Sequence, residues 1–335
     1  MLQGQAKNSI CRILDKVFNL QFRTRHSNLA SMDKTIQTPN AGKTEWQTWL
    51  LILFVYVSWL TLVSHYHTLP GAVILLVITN ALHGSMQHEL IHGHPTRYSW
   101  FNALLAYPPL SLWYPYPLYG ESHIVHHQDE NITLPGLDPE SFYVSQHNWE
   151  NIGPIHRKLL IFNMTLAGRF LIGPALTLNQ LIRQVYVAFN SRNRLAMKTW
   201  LIHFVLLFVL LYGLNKFANI STWQYFLIAY ASQSLAMLRS FFEHRAVPEK
   251  DQRTVLVEAS LPMRLLFTNN NYHLVHHEQP EMAWYLLPDI YRKQRKKLAK
   301  KNGGFVVKGY RQWWTNNLFK PIDHPRHPFH QISKS

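Results

Sequence analysis

Apolar and polar positions are unevenly distributed along the chain. Residues 47–64 carry no charged side chain, and residues 68–87, 199–215 and 217–238 are similarly apolar. The hydrocarbon core of a bilayer is about 30 Å thick, and about 20 apolar residues of helix cross it. We therefore predict four membrane-spanning helices, at about 47–64, 68–87, 199–215 and 220–238, in two hairpins. The alternative is a soluble helical protein with unusually apolar cores, and four such stretches in two close pairs argue against it.

The polar segments lie around these hairpins. Residues 1–46 predict a basic tail, residues 47–290 a membrane-bound domain, and residues 291–335 a second basic tail. Within the domain, the uncharged segment 100–120 contains four prolines, so we expect broken helical pieces near the membrane interface. Residues 159–181, interrupted by Arg169, predict an interfacial amphipathic helix. The predicted fold is an all-α integral membrane protein with a cytoplasmic helical cap.

The net charge of +15 over 335 residues changes this picture little, because of where the cations lie. Seven Lys and Arg precede the first predicted span, eight lie between the second and third, and seventeen follow the fourth, whereas only Lys216 separates the third and fourth. The positive-inside rule therefore places both termini in the cytoplasm. We attribute the basic excess to topology and attraction to anionic lipid, and expect no nucleic-acid partner. The single cysteine, Cys11, excludes an intrachain disulfide.

Histidine carries the clearest chemical signal. Twenty residues are histidine, and three short clusters read HELIH, HIVHH and HLVHH. In a helix, residues three and four apart share a face, so each cluster can direct its imidazoles at one point. Eight imidazoles exceed the coordination of one ion and suit two, and imidazole favours iron, zinc or copper. The candidate ligands are His88, His92, His123, His126, His127, His273, His276 and His277, with His244 as a ninth.

Several carboxylates lie beside these clusters. They are natural acceptors for the outward N–H groups of ligating histidines, although balancing surface charge would explain them equally well. These candidates are Glu89, Asp129, Glu130, Glu243 and Glu278.

The three clusters, spaced around two predicted hairpins, resemble the histidine boxes of the membrane-bound fatty acid desaturase superfamily. The resemblance covers about residues 45–290. It implies a mostly helical, oxygen-dependent enzyme in which the eight box histidines hold two iron ions. It also implies that His244 matches an extra histidine after the fourth span. Asn271 lies where many relatives have asparagine, as a group that reaches the ligands through water.

The resemblance further implies a reaction and its partners. The expected reaction is O₂-dependent desaturation of a fatty acyl chain or similar lipid at the cytoplasmic membrane face, with hydroxylation or ketolation of another apolar substrate as the alternative. No segment resembles the fused haem-binding domain of some members. Electrons are therefore expected from a separate carrier, such as a ferredoxin, a rubredoxin or a cytochrome b5-type protein with its reductase.

Two other classes of protein compete with this interpretation. HELIH also satisfies the H-E-x-x-H pattern of zinc proteases, with Glu89 as general base, His88 and His92 on zinc and Asp138 as a third ligand. A zinc protease site would leave the other six clustered histidines unexplained. A non-catalytic haem or metal-storage protein would need paired histidines within the spans, whereas these clusters lie at one membrane face.

Overall fold

The computed structural model describes residues 45–128 and 131–329, which form thirteen α-helices and one short pair of strands. The first nine helices are α1 Trp46–Ser64, α2 Ala72–Ile91, α3 Ser99–Ala106, α4 Tyr116–Gln128, α5 Gln146–Asn151, α6 Pro154–Asn163, α7 Leu166–Asn190, α8 Arg194–Ala218 and α9 Thr222–Arg239. Then follow β1 Leu256–Val257, α10 Leu261–Leu266, α11 His273–Glu278, α12 Leu287–Lys301, β2 Val306–Val307 and α13 Arg311–Asn317. The all-α class is therefore confirmed, with one pair of two-residue strands among the described residues.

The first predicted hairpin is formed by α1 and α2. α1 matches the predicted span closely, but α2 begins four residues later than expected and continues past residue 87. The delay has a local cause, because Gly71, which follows Pro70, adopts a left-handed backbone (φ 79°) and closes the connecting turn. The extension matters more, since it places His88 in the last turn of the helix.

The second predicted hairpin is formed by α8 and α9. α8 is longer than the apolar stretch that predicts it, because its polar cap lies before that stretch, whereas α9 begins two residues later and ends one residue later than its predicted span. Asn193 caps α8, and Ser221 and Gln224 form a capping box at the start of α9.

Among the described residues, two helices are long and apolar enough to cross a membrane, namely α1 and α8. The bent pair α6 and α7 is a third candidate if the two helices together form one span. α2 lies outside this set and buries Asn80, His83 and Gln87. Two to three candidate spans are therefore established by length and composition.

The bent pair α6 and α7 replaces the single interfacial helix predicted for residues 159–181. Their axes meet at 118°. The bend requires glycine at position 168, where a Cβ atom would lie 1.8 Å from the carbonyl oxygen of Phe162. The charge that interrupts the apolar pattern, Arg169, is buried between the rings of Phe142 and Phe241.

The C-terminal residues pack into the same core as the end of α9. β2 pairs in parallel with β1, in the register Leu256 to Val306 and Val257 to Val307. Trp313 of α13 is 2% exposed and meets the ring of Phe241 edge-on, at 5.4 Å between centroids. Residues 291–329 of the predicted tail are thus an integral layer of the fold. Of the predicted N-terminal tail, residues 1–44 lie outside the described residues.

Candidate metal centre

Four parts of the chain bring the candidate histidines together. The end of α2 supplies the first cluster, α4 the second and α11 the third, while His244 follows the end of α9 by five residues. All nine side chains are buried or nearly so. Local sequence explains much of this placement, because each H-x-x-H-H cluster lies on a helical turn and places its first and last histidines on one face.

The Nε2 atoms of these histidines converge. Nε2 of His123 lies 3.0 Å from that of His92 and 3.1 Å from that of His127, which is in turn 3.0 Å from Nε2 of His276. On the other side, Nε2 of His273 lies 3.1 Å from the Nε2 atoms of both His244 and His277. Lone pairs from distant segments therefore point into two small volumes.

Within the described residues, the nitrogen atoms define two groups in which all ligand atoms lie within 4.8 Å of one another. The five-histidine group consists of His88, His92, His123, His127 and His276. The four-histidine group consists of His126, His244, His273 and His277. The groups adjoin, because the rings of His127 and His277 stack with centroids 4.3 Å apart.

The second and third clusters are both shared between the groups. In each, the first and last histidines, four residues apart, enter one group, and the histidine between them enters the other. His126 thus joins the group of His273 and His277, while His276 joins that of His123 and His127. Neither cluster forms a separate site, and the two groups form only when α4 and α11 pack together.

Acidic side chains hold the outward nitrogens of two histidines. Nδ1 of His123 lies 2.8 Å from Oε1 of Glu140, and Nδ1 of His126 lies 2.8 Å from Oδ1 of Asp138. A carboxylate on the far nitrogen fixes the tautomer and the ring orientation, and it makes the imidazole a more basic donor. Asp138 is itself fixed, because it accepts the backbone N–H groups of Thr133 and Glu140.

Other histidines of the two groups contact neutral hydrogen-bonding side chains. Oδ1 of Asn270 accepts from Nδ1 of His273 at 2.9 Å, and Nδ2 of Asn270 lies 3.2 Å from Nε2 of His88. Asn270 therefore touches one histidine of each group. Oγ1 of Thr254 lies 3.2 Å from Nδ1 of His244.

Burial keeps most of these imidazoles neutral, the form that ligates metal. Burial and the neighbouring His123 and His126 lower the pKa of His127 to about 2. Burial, reinforced by neighbouring histidines, also holds the pKa values of His244 and His276 well below the ordinary range. At His126 burial acts in the same direction, but the charge of Glu140 and the hydrogen bond to Asp138 outweigh it and raise the pKa to about 9.

The carboxylates expected beside the clusters have different surroundings. Glu89 is buried, with Oε1 3.4 Å from Nδ1 of His88 and Oε2 accepting the backbone N–H of Trp284. Glu243 forms an ion pair with Arg239 and lies 3.6 Å from Nδ1 of His273. Glu278 instead pairs with Lys301 at 2.7 Å. The expected residues Asp129 and Glu130 lie outside the described residues.

Sequence reasoning missed Glu140, Asn270 and Thr254 as partners of the histidines, and it considered Asp138 only as a zinc ligand. Asn271, the asparagine expected at the site, donates to the carbonyl oxygen of Val257 instead. Glu140 lies 17 residues from His123 in a loop, where no periodic pattern links the two. The adjacent NNN run was the available signal for Asn270.

The observed arrangement does not match the zinc site of the protease alternative. His88 and His92 share their group with three more histidines, and Asp138 is not part of it. Asp138 instead supports His126 in the neighbouring group.

The donor set fits a pair of transition-metal ions. Nine mostly neutral imidazoles in two adjoining groups match the nitrogen ligation of iron, zinc or copper, and no carboxylate oxygen enters either group among the described residues. Comparison with curated protein sequences gives no match. Comparison with protein families gives a match to the family described as fatty acid desaturase, over residues 64–309. This range includes all nine histidines and most of the chain, so the protein belongs to the fatty acid desaturase family.

Proposed function

We propose that the protein is an O₂-dependent, non-haem di-iron desaturase that introduces a double bond into a fatty acyl chain or similar lipid at the cytoplasmic face of a membrane. The observation that carries this proposal is the pair of adjoining histidine groups, with converging Nε2 atoms and Nδ1 atoms held from outside. Family membership supports the same class of chemistry.

The residues of the chain position and tune the centre. When bound, two iron ions supply the oxygen chemistry that removes hydrogen from an unactivated C–H bond. The five-histidine and four-histidine groups would each hold one ion, and Asp138, Glu140 and Asn270 keep the rings oriented. Most of the histidines are buried, which shields the proposed centre from bulk water.

The substrate proposed is long and apolar. Aromatic side chains from the segment before α4 and from α4 itself approach the metal centre: the ring of Tyr119, in α4, lies 6.0 Å from that of His123. Tyr114 in turn lies 6.4 Å from Tyr119. Apolar and aromatic walls of this kind suit an alkyl chain whose polar end remains at the membrane surface.

The proposed topology has four spans, α1, α2, α8 and α9, with both termini in the cytoplasm. Its support is the charge distribution, in which Lys216 is the only cation of the α8–α9 turn region. Replacing Cys11, the single cysteine, by serine gives a background into which one new cysteine at a time can be introduced, and its side of the membrane can then be tested. A maleimide that cannot cross the membrane should label Lys216→Cys from outside the cell and Lys297→Cys only after lysis, and the reverse pattern would contradict the topology.

Metal content tests the centre directly. We expect about two iron ions per purified chain, from the coordination available in two groups, with a Mössbauer spectrum of high-spin non-haem iron. The double variant His126→Ala/His276→Ala removes one ligand from each group and should lose both ions. The double variant His147→Ala/His324→Ala, which changes two exposed histidines, is the control. About one zinc per chain, retained in the site variant, would contradict the proposal and favour the protease.

Product analysis tests the reaction. With ¹⁸O₂ and an isotopically labelled lipid, desaturation gives a new C=C bond and no ¹⁸O in the product. Retention of ¹⁸O would instead show the hydroxylase or ketolase alternative. A soluble carrier, such as a ferredoxin, a rubredoxin or a cytochrome b5-type protein with its reductase, is the proposed source of electrons.

A further inference from the structure

The outward surface of α12 concentrates positive charge. This helix has seven Lys and Arg residues and a single acid. Three of the cations pair with nearby acids: Arg292 with Asp289, Arg295 with Glu258, and Lys301 with Glu278. The other four are exposed and have no acidic partner in residues 45–128 and 131–329: Lys293, Lys296, Lys297 and Lys300.

These four lysines, which we call the lysine face, lie on one side of the helix. Successive residues turn by about 100°, so the lysine face is centred opposite Tyr291 and Leu298. Tyr291 and Leu298 are both buried against the rest of the protein. The packing of α12 therefore presents the lysine face to the surroundings.

α12 runs behind both histidine groups. Just before its start, the backbone N–H of Trp284 donates to Glu89, the neighbour of His88 in the five-histidine group. Just after its end, Asn302 donates to the carbonyl oxygen of Thr254, whose hydroxyl lies 3.2 Å from His244 in the four-histidine group.

A packed aromatic contact links α12 to the metal centre. Tyr291 stacks on Tyr272 with centroids 4.4 Å apart and ring planes 21° apart. Tyr272 immediately precedes His273, a member of the four-histidine group. Glu258 fixes this arrangement, because Oε1 accepts from both Tyr291 and Arg295. The stacked rings of Tyr291 and Tyr272 thus connect α12 to the residue that precedes a candidate ligand.

The lysine face lacks the features of a lipid-binding surface. A helix that lies in the interface of a membrane inserts exposed apolar side chains beside its cations. α12 has no large apolar side chain in the exposed class: its Leu287, Tyr291 and Leu298 are buried, and Ile290 is partly buried against the core. In the described residues such exposed side chains lie instead on helices such as α1 and α8. A surface with charge and no apolar anchor fits a water-soluble partner of opposite charge.

We propose that the lysine face is the docking surface for an acidic, water-soluble one-electron carrier protein, an inference that rests on the proposed function. Each encounter oxidises the carrier by one electron, and that electron passes through Tyr291 and Tyr272 to reduce the metal centre by one. Charge complementarity of this kind accelerates encounter more than it increases affinity, and salt weakens it.

The test measures how fast the iron-loaded enzyme is reduced in nanodiscs of uncharged phosphatidylcholine. The probes are two acidic carriers, a reduced [2Fe–2S] ferredoxin and a reduced cytochrome b5 soluble domain. The variant reverses the lysine face (Lys293→Glu/Lys296→Glu/Lys297→Glu/Lys300→Glu). The matched control reverses four exposed cations elsewhere (Lys158→Glu/Arg192→Glu/Arg194→Glu/Lys198→Glu). Photoreduced lumiflavin, a small uncharged reductant, reports on the metal centre without docking.

We expect at least one acidic carrier to reduce the wild type, with a rate constant that falls as salt rises. Reversing the charge of the lysine face should lower the rate constant of reduction by about tenfold or more. The rate constant of the control variant should stay close to that of the wild type. Reduction by lumiflavin should be the same in all three proteins.

The proposal is overturned if neither acidic carrier reduces the wild type, if both four-site variants slow equally, or if the defect appears only when the nanodiscs contain anionic lipid. The last result would assign the lysine face to the membrane surface. Failure of the proposed function gives a different result. The wild type and the variants would then form no oxygen-dependent product even when lumiflavin supplies the electrons.

Discussion

His126 and Asp138 form a buried pair in which Nδ1 of the imidazole lies 2.8 Å from Oδ1 of the carboxylate, while Nε2 of the same ring lies 3.3 Å from Nε2 of His277. The two nitrogens therefore have separate tasks. One is held by a carboxylate from a loop, and the other is directed toward the four-histidine group. His123 and Glu140 repeat the relationship in the five-histidine group.

Asp138→Asn should weaken metal binding by the four-histidine group. The substitution keeps the size of the side chain but removes the negative charge that contacts Nδ1 of His126, and losses of this kind cost about 10–100-fold in metal affinity. We expect iron content to fall toward about one ion per chain, measured by elemental analysis after dialysis against a chelator. Asp251→Asn, at an exposed carboxylate, is the control. Full retention of iron in Asp138→Asn would refute the role given to this residue.

Glu140→Gln should weaken the five-histidine group instead, because Glu140 contacts His123. A similar loss of about 10–100-fold in affinity is expected, again leaving about one ion. Combining this change with Asp138→Asn should remove both ions. If the single variants left the same ion behind, as judged by their Mössbauer spectra, the assignment of one carboxylate to each group would be wrong.

Asn270→Leu should loosen both groups at once, because Asn270 contacts His273 and lies beside His88. Replacing the amide by an apolar side chain of similar size removes these contacts, and we expect metal affinity to fall about tenfold or more. Asn271→Leu, at the neighbouring asparagine, is the comparison variant. Its amide supports the carbonyl oxygen of Val257, so that variant should lose about 1–3 kcal/mol of stability yet keep its iron in the folded fraction. Equal iron loss in both variants would contradict this distinction.

Trp313→Ala should destabilise the core that the C-terminal residues share with the end of α9. Trp313 is buried against Phe241 and Tyr310, and removing so large a buried side chain costs about 3–5 kcal/mol. Phe241 lies three residues before His244, so iron in the four-histidine group should also become easier to remove. Denaturant unfolding in detergent measures the first effect and chelator challenge the second. Trp314→Ala, at a 45% exposed neighbour, should have a much smaller effect. Indistinguishable unfolding curves for the two variants would show that residues 291–329 are not part of the core.

The sequence by itself determined the features that depend on near neighbours in the chain. An uncharged run of eighteen residues is enough to predict α1, because a helix satisfies its own backbone hydrogen bonds within the segment. The spacing of His123 and His127, and of His273 and His277, likewise predicts that each pair shares a helical face. Start and end points were less accurate wherever a turn or a cap set them, as at Gly71 and Ser221.

Only the tertiary structure decided how the histidines divide and what supports them. His276 joins His92 and His127 rather than its own neighbour His277, because α2, α4 and α11 converge from distant parts of the chain. Asp138 and Glu140 reach their histidines from a loop, where side-chain direction follows from packing and no helical or strand period applies. The packing of α12 behind the centre depends in the same way on the contact between Tyr272 and Tyr291, nineteen residues apart, which local sequence does not encode.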